Sequence, residues 1–300
     1  MEIIKGKTIW YDITNPAAAD IAWLKREYGV HPIILDELSQ PSARTHVESY
    51  DDYLYIVYQF PIYDPQEKVS QRGELDMIVT KHSVITIHYE TLEPLEEFAQ
   101  SLGSAHVRAE ALKNSLQLTY GILGIFLDFN ERQLRHIHMK VEDISLHLFK
   151  DREKELLKEI SYVRRDLSEF RIIISPQEQL LHNLLEHGTA LWGAGARLYL
   201  NNLMGEYQKI MNRLEDYRQA VTDFDATNNQ LMNLKTTQVM KTFTALSFLT
   251  FPFVLLVAVL GLNTVDNPLI HHQYGFHIAF VVVCIGIIGL SAYFKNKKWL

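Results

Sequence analysis

The triplet Gly261-Leu262-Asn263 is the part of the sequence whose chemistry best suits an ion. It ends an uncharged apolar run, residues 242–262. An asparagine repeated around the mouth of a symmetric pore would supply a ring of neutral amide oxygens. These can hydrogen-bond to the water shell of a divalent cation such as Mg²⁺, which loses its water reluctantly. Glycine lets neighbouring backbones approach closely. A Gly/Asn helix C-cap explains the same triplet, so both interpretations stay open.

A stripe of small polar and apolar side chains precedes this triplet. Its members recur at intervals of three and four residues: Thr237, Met240, Thr244, Ser247 and Phe251. On a helix this spacing places them on one face, which could line a pore. Met240, Phe243 and Phe251 could then act as apolar gates that close by dewetting. Small polar residues also help membrane helices to pack, which is the simpler interpretation.

Histidines offer a second chemistry. His138 and Glu142 share a helix face, near His136, His147 and Asp143, and such a group could hold a metal. Exposed histidines on a charged helix are more often simply solvated. The sequence Gly193-Ala-Gly195 lacks the Lys-Ser/Thr of a phosphate-binding loop, and no Ser-His-Asp or Cys-His arrangement stands out. We therefore expect no enzyme, no cofactor and no catalytic residues.

Asp266, His271 and His272 lie in the segment that follows the triplet. They could attract cations to a pore mouth, although ordinary loop residues would look the same. The segment separates two runs without Lys, Arg, Asp or Glu, residues 242–262 and 276–294. Each is long enough to cross a hydrocarbon core about 30 Å thick, which takes about 20 helical residues. Together they predict a membrane hairpin.

Lysines lie before the first run and after the second, so they would lie on the same side of the membrane. Lys235 and Lys241 precede the first run, whereas Lys295, Lys297 and Lys298 follow the second. The intervening loop contains no Lys or Arg. By the positive-inside rule both termini should be cytoplasmic, in a multi-pass protein of the inner (plasma) membrane. Because two helices cannot enclose a pore, a channel built from them requires a homo-oligomer.

The overall composition excludes several other functions and kinds of site. The 300 residues carry a net charge of −7, and the four basic residues and one acidic residue after position 240 give that part +3. The preceding residues therefore carry −10, which argues against nucleic acid as a partner. The single cysteine, Cys284, excludes an intrachain disulfide and a cysteine-based zinc site. The N-terminus has no apolar run typical of a signal peptide.

The soluble part has a mixed pattern. β-Branched and aromatic runs at residues 53–60 and 75–90 predict strands, with turns at Asp64-Pro65 and Arg72-Gly73. Residues 20–28 and 32–38 predict helices, and polar residues are expected on strand edges and loops. Beyond residue 110 the helical period dominates, with helices expected over 111–150 and 154–175 and from about residue 190. Between Tyr199 and Leu262, Gly205, Pro252 and Gly261 are the only glycines and prolines, so one helix roughly 95 Å long could cover this range.

The chain resembles the CorA family of divalent-cation channels along nearly its whole length. The matching segments are GVHPIILDEL, VESYDDYLYIV, ELDMIVTKHSVITIHYE, VMKTFTALSFLTFPFVLLVAVLGLN and YFKNKKWL. The family signature Gly-Met-Asn reads Gly261-Leu262-Asn263 here, and Met240-Lys241 matches the Met-Lys at the inner end of the family's pore. Thr237 stands where many members have Asn. The loop's Met-Pro-Glu-Leu element is reduced to Asn267-Pro268-Leu269.

The resemblance implies an α+β cytosolic N-terminal domain, a long stalk helix and a two-helix transmembrane hairpin, assembled as a funnel-shaped homopentamer. The expected divisions are a cytosolic α/β domain (1–110), a helical hairpin region (111–198), a stalk helix (199–241), the pore-lining first span (242–262), an outer loop (263–275), the second span (276–294) and a basic tail (295–300). Gly261, Leu262 and Asn263 would form the ion site, with Thr244 and Ser247 along the path.

The implied function is Mg²⁺ uptake, with Co²⁺ or Ni²⁺ as further ions, driven by the electrochemical gradient and gated by cytosolic Mg²⁺. The regulatory sites cannot be placed on particular residues. Because the middle residue of the signature differs, a ZntB-type Zn²⁺ transporter, perhaps coupled to protons, is the alternative within transport. A membrane-tethered sensor or scaffold without a pore is the alternative outside it, and a membrane-bound metalloenzyme comes last.

Overall fold

Six strands rich in β-branched and aromatic residues form one mixed sheet. The computed structural model describes residues 1–261 and 272–297. The strands are β1 (Glu2–Lys5), β2 (Ile9–Thr14), β3 (His46–Ser49), β4 (Tyr53–Asp64), β5 (Val69–Thr80) and β6 (Ser83–His88). Their spatial order is β1-β2-β6-β5-β4-β3. Neighbouring strands are antiparallel except β2 and β6, which pair in parallel from Ile9 and Ser83 onward.

Nine helices accompany the sheet within the described residues. They are α1 (Ala18–Tyr28), α2 (Pro32–Glu37), α3 (Glu93–Ser101), α4 (Ala105–Ala111), α5 (Ser115–His147), α6 (Glu153–Ile174), α7 (Gln177–Trp192), α8 (Ala196–Leu260) and α9 (Gly275–Asn296). The chain divides into two compact units, Met1–Asp225 and Ala226–Leu300. This confirms the expected fold class of an α+β region followed by a long helix and a pair of apolar helices.

Both faces of the sheet are buried, because successive side chains of a strand point to opposite sides. On one face, Tyr55 and Ile78 pack with residues of α1 and α2 such as Leu24 and Ile34. On the other face a larger core contains Tyr58, Phe60, Phe126, Phe170 and Tyr207. These aromatic residues tie β4 to α5, α6 and the beginning of α8.

The expected turn at Arg72-Gly73 is wrong, because both residues lie inside β5 opposite Pro61 and Phe60. Glycine is needed at position 73 because the strand packs closely on a neighbouring side chain, not because the chain turns. A Cβ at position 73 would lie 2.6 Å from Cε2 of Phe60, a distance that side-chain atoms do not adopt. Glycine inside a strand commonly marks such a close approach.

The single run expected over residues 75–90 is divided into β5 and β6 by a tight turn. Oγ1 of Thr80 accepts hydrogen bonds from the backbone N–H groups of His82 (3.2 Å) and Ser83 (2.9 Å). A threonine side chain that satisfies the backbone of the next residues stabilises a turn. The β-branched residues on both sides concealed this break.

Helix α7 is an element that the sequence pattern left unassigned. It begins directly after Pro176 and ends at Gly193, whose φ of 86° is unfavourable for residues with a side chain. This glycine therefore allows the chain to pass from α7 into α8. The expected helices at residues 20–28 and 32–38 correspond to α1 and α2, and α8 is continuous through Pro252.

The second unit contains the apolar end of α8 and the whole of α9. Each helix has a nearly uncharged 18-residue stretch that is long and apolar enough to cross a membrane, and only 6% of each stretch is buried. Gly286 of α9 lies against Phe253 of α8. Ala245, eight residues before Phe253, and Phe294, eight residues after Gly286, are also buried. The close approach of Gly286 to Phe253 shows that α8 and α9 pack against each other.

Candidate functional site

The most promising site is the stripe of α8 defined by Thr237, Met240, Thr244, Ser247 and Phe251. Intervals of three and four residues place these side chains on one side of the helix. All five are exposed in the single chain, Met240 by 61% and Phe251 by 72%. None carries a charge, so the stripe combines uncharged oxygens with large apolar groups near the apolar end of α8.

The hydroxyl of Thr244 is oriented by the helix itself. Its Oγ1 donates to the carbonyl oxygen of Met240 at 2.8 Å. Since the proton points back into the helix, the oxygen lone pairs remain available as acceptors. Thr244 thus presents only an acceptor outward, and an acceptor suits a cation and its water shell. Thr242 donates in the same way to Gln238, but it lies on another side of the helix.

Phe243 lies at the edge of the stripe and also borders a separate groove. This groove has a volume of about 510 Å³ and is lined by Lys235, Gln238, Val239, Thr242, Phe243 and Leu246. The side chain of Phe243 is 62% exposed. Within the described residues, Phe243 is thus the one expected gate residue that faces a groove away from the polar members of the stripe.

The end of α8 is described only as far as Gly261. Its backbone N–H donates to the carbonyl oxygen of Val257 at 2.9 Å, so the helical pattern reaches this residue. Leu262, Asn263, Asp266 and His271 lie outside the described residues. His272 is described, and its Nδ1 accepts a hydrogen bond from the backbone N–H of Tyr274 at 3.2 Å.

The histidine group of α5 does not form a metal site in the described structure. The ring of His136 stacks on Tyr63, and that of His138 stacks on Tyr217. His147 lies 3.3 Å from the carboxylate of Asp143. Among the described residues, no cluster of three His, Cys, Asp or Glu side chains could hold a metal. The aromatic partners explain two of the three histidines as packing residues.

Several polar residues of the sheet are buried, although the sequence pattern predicts polar residues on strand edges and loops. That expectation is wrong for Glu74 and Asp76 of β5, which are 7% and 0% exposed. Their alternation with Leu75 and Met77 is a signal that one face of this strand is polar. The sequence gives no sign that this face is covered.

A second buried carboxylate connects three elements. Asp166 of α6 is fully buried and accepts from the backbone N–H (2.9 Å) and the hydroxyl (2.8 Å) of Ser70 in β5. Its other oxygen lies 3.0 Å from Nζ of Lys140 in α5, which also sits over the ring of Tyr63. This network holds the helices on the sheet and is structural in character.

His88 forms a third buried polar group, between the parallel strands β2 and β6. Nε2 lies 3.2 Å from Oδ1 of Asp12, and Nδ1 lies 2.5 Å from the carbonyl oxygen of Glu90. Burial alone lowers the pKa of His88, but the hydrogen bond and charge of Asp12, together with the Glu90 carbonyl, outweigh it and raise the pKa. Two acceptors around one ring favour the doubly protonated imidazolium.

Comparison with known proteins decides the family. Residues 5–296 match the family described as CorA-like Mg²⁺ transporter protein. The chain belongs to this family. It is 22% identical to the cobalt/magnesium transport protein CorA of Thermotoga maritima over 295 residues, which cover 97% of this chain and 83% of the relative. The CorA of Methanocaldococcus jannaschii is 20% identical over 298 residues, which cover 98% of this chain and 92% of the relative.

The fold of the CorA family is likewise present. The complete structure of the magnesium transporter CorA from M. jannaschii superposes with a TM-score of 0.87 at 18% identity, covering 100% of this chain and 94% of the other. The cytoplasmic domain of ZntB from Vibrio parahaemolyticus gives a TM-score of 0.59 at 14% identity, covering 76% and 89%. At these identities the likeness shows the fold alone. Membership of a transporter family also accounts for the two apolar helices and implies a protein that is not an enzyme.

Proposed function

We propose that this CorA-family chain conducts divalent metal cations across a membrane, with Mg²⁺ as the main ion and Co²⁺ and Ni²⁺ as further ions. The observation that carries the proposal is the uncharged stripe near the apolar end of α8, a stretch that the single chain leaves almost fully exposed. Lipid can cover the apolar sides of α8, but it would leave Thr244 and Ser247 without polar surroundings. A water-filled path shared with other copies supplies them.

The assembly that creates such a path is a homo-oligomer, and the family resemblance indicates a pentamer. In this arrangement α8 lines the pore and α9 lies behind it, toward the lipid. The stretch 199–241 serves as the stalk, residues 242–262 and 276–294 are the spans, and 263–275 is the outer loop. A native mass fivefold that of the 34.8 kDa chain is the expected result.

The ion path is assigned residue by residue. Asn263 and the carbonyl of Gly261, with Leu262 between them, would hold the hydrated ion at the outer mouth. Thr244 and Ser247 would offer acceptors further along. Apolar constrictions would form at the gate residues Met240 and Phe251, whereas Phe243, at the edge of the stripe, would contribute less.

Polar loop residues and flanking lysines complete the proposal. Asp266, His271 and His272 would raise the local cation concentration at the outer mouth. The lysine distribution supports cytoplasmic termini in a protein of the inner (plasma) membrane. An inward-crossing divalent ion would gain about 4.6 kcal/mol per 100 mV, twice the value for one charge. The potential alone is thus a sufficient driving force, with the cation as substrate and possible regulator and no cofactor.

Ion flux into liposomes tests this function. Purified full-length chain should admit Mg²⁺, Co²⁺ and Ni²⁺ when the interior is negative, without ATP or a pH gradient. Zn²⁺ is the ion to compare, because Leu262 replaces the methionine of the family signature. Flux of Zn²⁺ alone, dependent on a pH gradient, would favour the ZntB-type alternative. A monomer or dimer with no divalent flux would show a tethered sensor or scaffold instead.

A further inference from the structure

Two carboxylates of β5 lie on the sheet face that is covered by residues 39–45, here called the strap. Asp76 is 0% and Glu74 is 7% exposed. The strap is an irregular segment between α2 and β3. The backbone N–H of Ser42 donates to Oε1 of Glu74 at 2.7 Å, and the carbonyl of Gln40 accepts from the hydroxyl of Tyr89 at 3.2 Å. The strap therefore closes directly over the two carboxylates.

Glu74 has neutral donors on both oxygens. Besides Ser42, Nε2 of Gln59 donates to its Oε2 at 2.8 Å and to the carbonyl of Ser42 at 2.9 Å. The hydroxyl of Ser42 in turn donates to Glu37 of α2 at 2.6 Å. Glu74 thus anchors the strap through Ser42. Burial raises the pKa of Glu74, and the hydrogen bonds from Gln59 and Ser42 offset this rise only in part.

Asp76 is satisfied on one oxygen only. Its Oδ2 accepts from the hydroxyl of Tyr89 at 3.0 Å, whereas its Oδ1 has no partner of hydrogen-bond geometry. The fully buried hydroxyl of Tyr55 is likewise without a hydrogen bond, although it faces Asp76 and Ser42. Burial, followed by the charge of Glu74, raises the pKa of Asp76 well above its usual range. The hydroxyl of Tyr55 can donate to the ionised form of Asp76 and so lowers its pKa, but burial outweighs this effect.

The surroundings hold more acids than bases. Glu37, Glu74 and the tyrosines Tyr55 and Tyr89 act on Asp76 from α2, β5, β4 and the residue after β6. Arg72, whose charge acts on Glu74, donates to the carbonyl of Ala43 at 3.3 Å, and the strap itself carries Arg44. From β3, the ring of His46 lies edge-on to Tyr55, and its Nε2 is 3.7 Å from Glu48.

We propose that Asp76 binds a proton in the folded chain and that this proton keeps the strap closed on the sheet. When the proton leaves to solvent, two negative charges remain close together under the strap, where the local dielectric is low. Opening of the strap lets water reach both carboxylates and breaks the Ser42–Glu74 hydrogen bond. The proton site is thus a pH-sensitive latch that is separate from the ion path and needs no metal.

The direction of the pH dependence follows from linkage. A carboxyl group whose pKa is raised by folding contributes most below its ordinary pKa, and the contribution is lost as pH rises through the raised value. The strap should therefore be closed in acid and open with increasing pH. A paired carboxylate with a lowered pKa would produce the opposite direction.

Hydrogen exchange of the full-length chain tests the latch, read on the peptide that contains residues 39–45 and corrected for the intrinsic effect of pH. In the wild type, protection should fall at least about tenfold between pH 5 and pH 9 (a free-energy change of about 1.4 kcal/mol). Asp76→Asn, a neutral group of the same shape, should keep the strap protected throughout. Asp51→Asn removes the same charge from an exposed position and should behave as wild type.

Two results would overturn the proposal: protection of the wild-type strap that is independent of pH, or an unchanged pH dependence in Asp76→Asn. If Asp76→Asn does not fold, Tyr55→Phe is the second variant that tests the proposal. It removes a hydroxyl that lowers the pKa of Asp76 by donating to the ionised carboxylate, so the pH of opening should move higher. An unchanged opening pH in Tyr55→Phe would equally contradict the latch.

Discussion

The ring of Phe253 in α8 occupies the space in which a side chain at position 286 of α9 would begin. A Cβ on Gly286 would lie 2.6 Å from Cζ of this ring. The two apolar helices are thus fitted to each other by one large and one minimal residue, which is a common solution in membrane helix pairs. If α8 lines a conduction path, this contact fixes how α9 supports it.

Gly286→Val should weaken the helix pair, because overpacking typically costs about 1–3 kcal/mol. We expect a lower melting temperature of the detergent-solubilised chain, measured by size-exclusion chromatography after heating. Gly289→Val is the matched control, since a Cβ at position 289 meets no atom within 4 Å. Phe253→Ala should restore part of the stability of Gly286→Val. Equal losses in the two glycine variants would show that the Phe253 contact is not the cause.

Thr244→Val should reduce divalent-cation flux severalfold while leaving the oligomer intact. Valine keeps the shape but removes the acceptor that Thr244 presents beside Met240. Thr242→Val is the control, because Thr242 makes the same kind of backbone hydrogen bond yet lines the groove beside Phe243. Flux into liposomes at equal protein density is the measurement. A loss in Thr242→Val with normal flux in Thr244→Val would place the path on the other side of α8.

Lys140→Met should destabilise the first unit by about 2 kcal/mol, because it leaves the buried carboxylate of Asp166 with Ser70 alone. Chemical denaturation followed by tryptophan fluorescence is the measurement. Lys158→Met, at an exposed position of α6, should have little effect. Adding Asp166→Asn to Lys140→Met should recover stability, since it removes the unpaired charge. Without such recovery, packing of the lysine over Tyr63 would be the main contribution.

His88 should make the fold less stable as pH rises. Its pKa is raised in the folded chain, so its stabilising contribution is complete below the ordinary histidine pKa of about 6.5 and is lost through the raised value. His88→Gln should therefore cost more stability at pH 6 than at pH 9, measured as melting temperature. His106→Gln, at an exposed site, should leave the pH profile unchanged. A constant loss in His88→Gln at all pH values would mean that the charge of the ring plays no part.

The positions of the long helices could be predicted from the sequence, because their signals come from neighbouring residues. The sparse prolines and glycines after Tyr199 predicted α8, and two charge-free runs predicted the apolar helix pair. Pairings between distant residues had no such signal: Lys140 and Asp166 meet only because α5 and α6 pack together. Gly73 was misassigned for the same reason, because its partner Phe60 lies on another strand.

The expected ion path also has a part that could be predicted from the sequence and a part that could not. The spacing of Thr237, Met240, Thr244, Ser247 and Phe251 on one helix could be predicted, since helical geometry alone determines it. The role of Asn263 could not, because it depends on how several copies meet at the outer mouth. That role remains a prediction from the family resemblance and needs a direct test.

Mg²⁺ uptake into liposomes by Asn263→Ala tests the central claim most directly. The wild-type chain should take up Mg²⁺ in response to a negative interior potential, and Asn263→Ala should lower the initial rate at least about tenfold, equivalent to about 1.4 kcal/mol. Asn267→Ala changes the same residue type in the same loop and should transport normally. Unchanged uptake by Asn263→Ala, with an intact oligomer, would contradict the assigned ion site. An absence of divalent uptake by the wild-type protein would contradict the proposed function itself.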